Sequence, residues 1–240
     1  MLNSVNAELL LIRKRASTWI LLGLWTLLSA IFGYIFSYVS YLNGSAEGVR
    51  PLANMLPSQV VPTFLEGYPF FGGVIVLILG VLTFGGEYGW GTLKTVYTQG
   101  PGRLRIFAAK LAALGIVLTG FVLLPFFVDS LISYIIALRE GEPIVLPGVW
   151  LVARGLAAGW FLMAVWAAFG ATLAVISRGT ALAIGIGILY GLVIEGLVSA
   201  FVNTLSVLRP LTEGFLRANG YSLIEPLGLA TDFVRSIGPG

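Results

Sequence analysis

The chain has 240 residues, of which 58% are hydrophobic and 10% are charged, and its formal net charge is +3. Soluble domains carry about 25% charged residues, so this composition excludes an ordinary soluble globular domain and indicates a membrane protein. Because the chain has no cysteine and no histidine, disulfides, thiol nucleophiles and histidine-based metal or acid–base sites are excluded as well.

The positive charge is explained by basic residues at lipid headgroups, so we predict the lipid bilayer, and no nucleic acid, as a partner. No segment has the pattern G-x-x-x-x-G-K-[ST] that binds nucleotide phosphates. If the protein uses ATP, another chain must bind it, and we expect no cofactor or metal ion in this chain.

Residues 1–16 predict a short amphipathic helix on the membrane surface. Leu2, Val5, Leu9 and Ile12 lie roughly on one helical face, and three consecutive basic residues follow at 13–15. The first long apolar segment comes next, and it lacks the small-residue cleavage site of a signal peptide. We therefore expect this segment to be retained as a membrane span.

Five apolar segments are candidates for membrane-spanning helices, because a hydrocarbon core about 30 Å thick takes about 20 residues per crossing. They are residues 19–41, 69–86, 106–138, 149–176 and 180–202. The third exceeds one crossing and contains Pro125, so we expect it to kink or to continue past the membrane. The sequence predicts one domain, residues 1–240, with an all-α, polytopic transmembrane helical bundle.

The segments between the spans are assigned to sides by their charge. Residues 43–67 are rich in Gly, Pro and Asn and predict a loop, and residues 203–240 predict an outer loop or tail with short helices on or in the outer leaflet. With the N-terminus inside, the inner side has eight basic and two acidic residues, and the outer side has six basic and seven acidic residues. This asymmetry places the N-terminus and residues 87–105 in the cytoplasm.

Residues 87–105 form a glycine-punctuated insert between the second and third spans. A short helix over residues 88–98 would bring Trp90, Leu93 and Tyr97 to one face, and Gly-Pro-Gly at 100–102 would end it. Physical reasoning alone leaves two interpretations open. The insert is either an interfacial hairpin with aromatic anchors or a docking element for a partner.

The run Glu87, then Gly-Thr-Leu at 91–93, then Pro101, Arg103 and Lys110 resembles the cytoplasmic loop after the second span of type-2 ABC exporter permeases, the membrane subunits of ATP-binding cassette exporters. Residues 8–19, ELLLIRKRASTW, resemble the connecting helix of that family. The resemblance implies that residues 87–105 form a coupling helix and loop that dock on a separate ABC ATPase subunit, which holds ATP and Mg. It also implies a second permease copy, as a homodimer or a similar heterodimer.

The residues assigned to ATPase coupling are Glu87, Trp90, Leu93, Lys94, Tyr97 and Arg103. The aromatic and apolar members suit the filling of pockets on a partner. Two of the assignments have alternatives: Glu87 either pairs with a basic residue or caps the loop, and Arg103, with Arg105, either contacts the ATPase or anchors the helix at the inner headgroups.

Small residues recur along two of the spans. Gly187 and Gly191 form a G-x-x-x-G on one face of the fifth span, and a similar stripe in the fourth span fits packing within one subunit. For the fifth span we favour a subunit interface or cavity lining, because Glu195 shares the stripe. The resemblance further implies that the second span lines the translocation path, where Gly73 and Gly80 would permit close approach across a dimer axis.

Asp129 and Glu195 are ionisable residues within predicted spans, where a charge costs a few kcal/mol unless it is paired, hydrated or protonated. Counting from the basic residues at the inner ends of their spans places both towards the outer leaflet. Two roles stay open: outer-interface carboxylates that touch water, or vestibule residues that contact a polar or cationic part of a substrate.

The predicted function is a permease subunit of an ABC exporter in the cytoplasmic membrane, working by alternating access and without enzymatic activity of its own. The alternatives are a non-enzymatic membrane module, such as an importer component or an assembly scaffold, or a carboxylate-based intramembrane enzyme. The family pattern has six spans, so we expect the last span to be missing from this chain. The high Gly, Ala and Leu content indicates a bacterial source.

Overall fold

The computed structural model of the chain describes residues 2–44, 52–89, 102–201 and 215–227. Helices make up 91% of these residues and none of them lies in a strand, which confirms the predicted all-α helical bundle. The expected coupling helix falls outside the described residues, as does most of the tail.

The described residues form eight helices, which we number in chain order. The N-terminal half contains α1 (Leu2–Lys14), α2 (Ala16–Leu42, with a π-helical segment at Ile31–Ile35), α3 (Val60–Glu66) and α4 (Gly73–Gly89). The C-terminal half contains α5 (Arg103–Glu140), α6 (Val149–Ser177), α7 (Thr180–Ile188, then π-helical Leu189–Ile194, then Glu195–Phe201) and α8 (Leu216–Ile224). Short 3₁₀ turns lie at Leu52–Met55, Pro57–Gln59 and Glu225–Leu227, and a π-helical turn at Tyr68–Gly72 joins α3 to α4.

Within the described residues, four helices are long and apolar enough to cross a membrane: Ala16–Leu42, Leu104–Glu140, Val149–Ser177 and Thr180–Val198. The second predicted span differs, because its regular apolar helix covers only Gly73–Gly86. Fourteen residues rise about 21 Å, which is less than the thickness of a hydrocarbon core. Helical residues extend it at both ends, to Gly89 on one side and through the π-helical turn Tyr68–Gly72 on the other.

Before the π-helical turn lies α3, and the prediction of a loop over residues 43–67 is wrong at this helix. Val60, Val61, Phe64 and Leu65 recur at helical spacing and are almost fully buried. They pack on the first half of α6, where a methyl group on Gly155 would come within 2.5 Å of the Val61 side chain. The density of Gly and Pro around α3 concealed this short apolar face, whose burial stabilises the helix.

The longest helix, α5, runs unbroken through Pro125. Its 38 residues span about 57 Å, so it continues past the hydrocarbon core, one of the two outcomes expected. Proline has no N–H, which removes the helical hydrogen bond to the carbonyl of Phe121. The indole Nε1 of Trp25 donates to that carbonyl at 3.1 Å, so a side chain of α2 replaces the lost backbone donor.

The centre of the bundle is a seam in which α4 packs against α6 and α7. A Cβ on Gly80 would overlap the carbonyl oxygen of Ala167, and a Cβ on Gly170 would overlap the carbonyl oxygen of Leu77. The backbones of α4 and α6 are therefore in direct contact at two levels, which only residues without a side chain permit. This contact confirms that the stripe in the fourth span packs within one subunit.

Candidate functional site

The structure shows where the predicted coupling segment starts and ends. Glu87 lies in the last turn of α4 and Arg103 is the first residue of α5, although only their backbones are described. Trp90, Leu93, Lys94 and Tyr97 lie outside the described residues. The coupling role of these six residues stays a prediction. The described residues next to the segment show how its two ends are attached to the rest of the chain.

One such neighbour is the elbow between α1 and α2, which we define as residues 12–19. The last carbonyls of a helix have no helical N–H partner. Here the hydroxyl of Thr18 donates to the Ile12 carbonyl and the indole of Trp19 donates to the Arg13 carbonyl, each at 2.8 Å. Two side chains of α2 thus close the end of α1 and hold the angle between the helices.

Arg15, at the centre of the elbow, reaches across to α4. Its Nη1 donates to the carbonyl of Leu82 at 2.6 Å, and its guanidinium lies over Gly86. Basic groups are stabilised near the C-terminal end of a helix by the partial negative charge there. The elbow is therefore attached to the last turns of α4, directly before the coupling segment.

An ion pair attaches α1 to the helix on the other side of the coupling segment. Lys110 Nζ lies 3.1 Å from Glu8 Oε2, and the two side chains are only 6% and 13% exposed. Such a sheltered pair is screened less by salt than a surface pair. The sequence indicated Lys110 and Arg15 as inner-side charges and as parts of the family resemblance, but no sequence signal paired them with residues 102 and 67 positions away.

Asp129 is buried inside the bundle, with 1% of its surface exposed, and its role as an outer-interface or vestibule carboxylate stays a prediction. Its Oδ2 accepts a hydrogen bond from the hydroxyl of Ser29, which joins α5 to α2, while its Oδ1 has no partner among the described residues. The hydroxyl of Tyr68, also 1% exposed, is likewise unpaired among them. Ser29 itself lines a cleft of about 280 Å³ between α2 and the π-helical turn before α4.

Glu195 is fully buried as well, and it holds α8 in place. Its Oε1 accepts a hydrogen bond of 2.8 Å from the backbone N–H of Leu216, the first residue of α8, and Tyr190 also interacts with the carboxylate. A negative charge at a helix N-terminus is favourable. The tail helix expected on or in the outer leaflet thus packs into the bundle, with Gly220 against Leu162 and Pro69.

The four glycines assigned to a path or dimer axis lie in contacts within this chain. A Cβ on Gly73 would meet the Trp166 ring at 2.6 Å, and one on Gly187 would meet Leu77 at 2.5 Å. Gly191 faces Trp166, and Gly80 forms the seam with α6 described above. Their role in a translocation path or between subunits stays a prediction, to be weighed against this observed packing role.

Among the described residues, no group of three Asp or Glu side chains is placed to hold a metal ion. The arrangement is instead one of helices with buried polar bonds between them, in which α1 and the elbow are bonded to the two helices that flank the coupling segment. A family model described as "ABC-2 family transporter protein" matches residues 4–194, which is well over half of the chain.

The chain belongs to the ABC-2 transporter family. No curated protein and no solved structure matches this ABC-2 permease. As a member, it is a multi-pass membrane protein and a transport component. The matched range contains both helices that flank the coupling segment, the elbow, and the ion pair between Glu8 and Lys110.

Proposed function

We propose that this ABC-2 permease is the membrane-spanning subunit of an exporter, with its N-terminus and residues 87–105 in the cytoplasm of a bacterial cell. A separate ABC ATPase, which holds ATP and Mg, docks on the segment that includes Trp90, Leu93 and Tyr97. Two permeases, identical or similar, form the assembled transporter. Nucleotide-driven closure of the ATPases then moves the spans between inward-open and outward-open states.

The observation that carries this proposal is that both flanks of the segment are bonded to the N-terminal part of the chain, one to α1 and the other to the elbow that follows it. Arg15 holds the end of α4 and Glu8 holds the start of α5 through Lys110. A displacement of the docked segment would therefore move α1, α4 and α5 together instead of being absorbed by a loose loop. Packed elements joined by polar bonds are the physical means by which coupling travels between sites.

The docking experiment uses the permease co-expressed with an ABC ATPase from the same organism, chosen from the neighbouring genes. We expect the ATPase to co-purify, and to be lost when Trp90→Asp and Leu93→Asp are combined, because charges in an apolar anchor oppose its burial. The matched control is Ile144→Asp combined with Leu146→Asp. Both residues are exposed and lie in the segment that joins the end of α5 to the start of α6. Equal ATPase recovery from both double variants, with both folded, would overturn the docking role.

The orientation has a separate test by cysteine labelling. Because the chain has no cysteine, only an introduced cysteine can be labelled. In intact cells, a membrane-impermeant maleimide should label Glu142→Cys and should not label Lys94→Cys until the cells are opened. The reverse pattern would place the coupling segment outside and end the exporter proposal. The direction of transport then follows from substrate movement in vesicles of known orientation.

A further inference from the structure

An open groove of about 690 Å³ lies between α1, α2 and α5. Asn6 and Arg13 lie on α1 at its polar part, and Trp19 borders it from α2. Its apolar part follows α5 from Ile116 to Leu124. The described residues leave this groove unfilled, although its apolar side chains are exposed: Ile116 is 54% and Leu124 43% exposed.

The polar part of the groove has the chemistry of a phosphate site at a membrane surface. Arg13 is exposed and carries a planar fork of donors that matches phosphate oxygens. The ring of Trp19 is 57% exposed and is fixed by the hydrogen bond from its indole to the Arg13 carbonyl. Tryptophan is enriched at the headgroup level of membranes, where one side of the ring is wet and the other apolar.

The apolar part has the shape needed for an acyl chain. Ile116 and Leu124 are two turns apart on α5, about 12 Å along the helix axis. Between them lies Gly120, at which a methyl group would meet no atom within 4 Å. The missing side chain therefore opens the groove in its middle, so a chain entering beside Arg13 can continue along α5.

We infer that this groove binds one anionic phospholipid, with its phosphate at Arg13 and one acyl chain along Gly120. The occupant is a lipid because the groove runs from a charged rim at the headgroup level to exposed aliphatic side chains in the membrane interior. The negative charge of the lipid complements Arg13 at the rim of the groove. The cytoplasmic leaflet supplies anionic lipids, and this assignment of the leaflet rests on the orientation proposed above. The bound lipid bridges α1 and α5 beside the Glu8–Lys110 pair.

The test measures lipid binding to the purified permease by native mass spectrometry and by thermal unfolding in detergent, with phosphatidylglycerol and phosphatidylcholine as probes. We expect phosphatidylglycerol to bind at least tenfold more tightly and to raise the melting temperature. Arg13→Gln should remove most of that preference. Lys14→Gln, which deletes the neighbouring exposed charge outside the groove, should retain it.

A second pair of variants tests the acyl chain. Gly120→Leu fills the groove and should weaken binding of phosphatidylglycerol about tenfold without lowering the melting temperature of the lipid-free protein. Gly23→Leu is the control, because position 23 is also open but lies outside the groove. The inference would be overturned if Arg13→Gln and Lys14→Gln reduced the preference for phosphatidylglycerol equally. It would also be overturned by equal binding of the two lipids, or by unchanged lipid binding in Gly120→Leu. Cross-linking that places the groove in an interface between two copies of the chain would overturn it as well. None of these outcomes depends on ATPase docking.

Discussion

Trp25 and Pro125 form a pair whose members are separated by 100 positions in the sequence and belong to different helices. The proline withholds a backbone donor from the Phe121 carbonyl, and the indole of Trp25 supplies one. In an apolar interior an unpaired carbonyl is expensive, so tolerance of a mid-span proline depends on such a replacement. A sequence pattern shows the proline but gives no sign of which side chain compensates for it.

Trp25→Phe should lower the free energy of unfolding by about 1–3 kcal/mol through the unpaired carbonyl, in addition to any packing loss. Pro125→Ala restores a backbone N–H to the same carbonyl, so the penalty of Trp25→Phe should shrink by about 1 kcal/mol in that background. A double-mutant cycle in mixed micelles measures this difference. Trp160→Phe is the control, because its indole donates to Gly115, whose carbonyl can keep its helical partner. Purely additive penalties for Trp25 and Pro125 would contradict the pairing.

The elbow is the first feature to consider at the scale of whole elements. Arg15→Met keeps an apolar stem and removes the donors to Leu82, so the last turns of α4 should open more often. Hydrogen exchange of the α4 amides over residues 83–89 should accelerate about fivefold or more, because local opening free energies fall when a restraint is lost. Lys14→Met removes an adjacent exposed charge and should leave this exchange unchanged. Identical exchange in both variants would mean that the Arg15 bond restrains nothing.

The first turn of α8 is bonded to one carboxylate. Glu195→Gln keeps an oxygen to accept from Leu216, so α8 should stay in place, whereas Glu195→Ala leaves a partly buried N–H without its partner at a cost of about 1 kcal/mol. Hydrogen exchange within Leu216–Ile224 should therefore rise in the alanine variant and change little in the glutamine variant.

Transport by the same two variants separates structure from function. If Glu195 contributes only a hydrogen-bond acceptor, Glu195→Gln retains transport, and if its charge contacts substrate, Glu195→Gln loses transport while α8 remains protected. A large rise of exchange in Glu195→Gln would show that the charge itself holds the helix.

For the whole molecule, the sequence predicted the elements whose signal is local. The amphipathic face of residues 1–16 and the long apolar segments are readable from periodicity, and α1, α2 and α5 to α7 follow them. The α3 helix was missed because seven residues between Pro and Gly give too short a pattern. The partners of Arg15, Asp129 and Glu195 were unpredictable because packing, rather than spacing along the chain, brings them together.

Gly187 allows a test that distinguishes packing within one chain from a contact between two subunits. Gly187→Leu inserts a side chain into Leu77, so overpacking should lower the stability of the single chain by about 1–3 kcal/mol. Gly185→Leu, two residues earlier, meets no atom within 4 Å and should have little effect on it. Thermal unfolding and the oligomeric state are measured together. Loss of the dimer from Gly187→Leu with an unchanged melting temperature would favour the interface role.

The two sides of α2 are held by different kinds of contact, hydrogen bonds on one side and ring packing on the other, and this difference has a mechanical consequence. Towards α5, this helix is fixed by directional bonds from Trp25, Ser29 and Tyr38. Towards the turn before α4, it meets rings in the pairs Trp25–Tyr68 and Phe32–Phe71, beside the 280 Å³ cleft. Rings slide where hydrogen bonds would break, so α2 and α5 should rotate as one rigid body against α4. Arg15 would be the pivot of that hinge, and the cleft would be the part that widens.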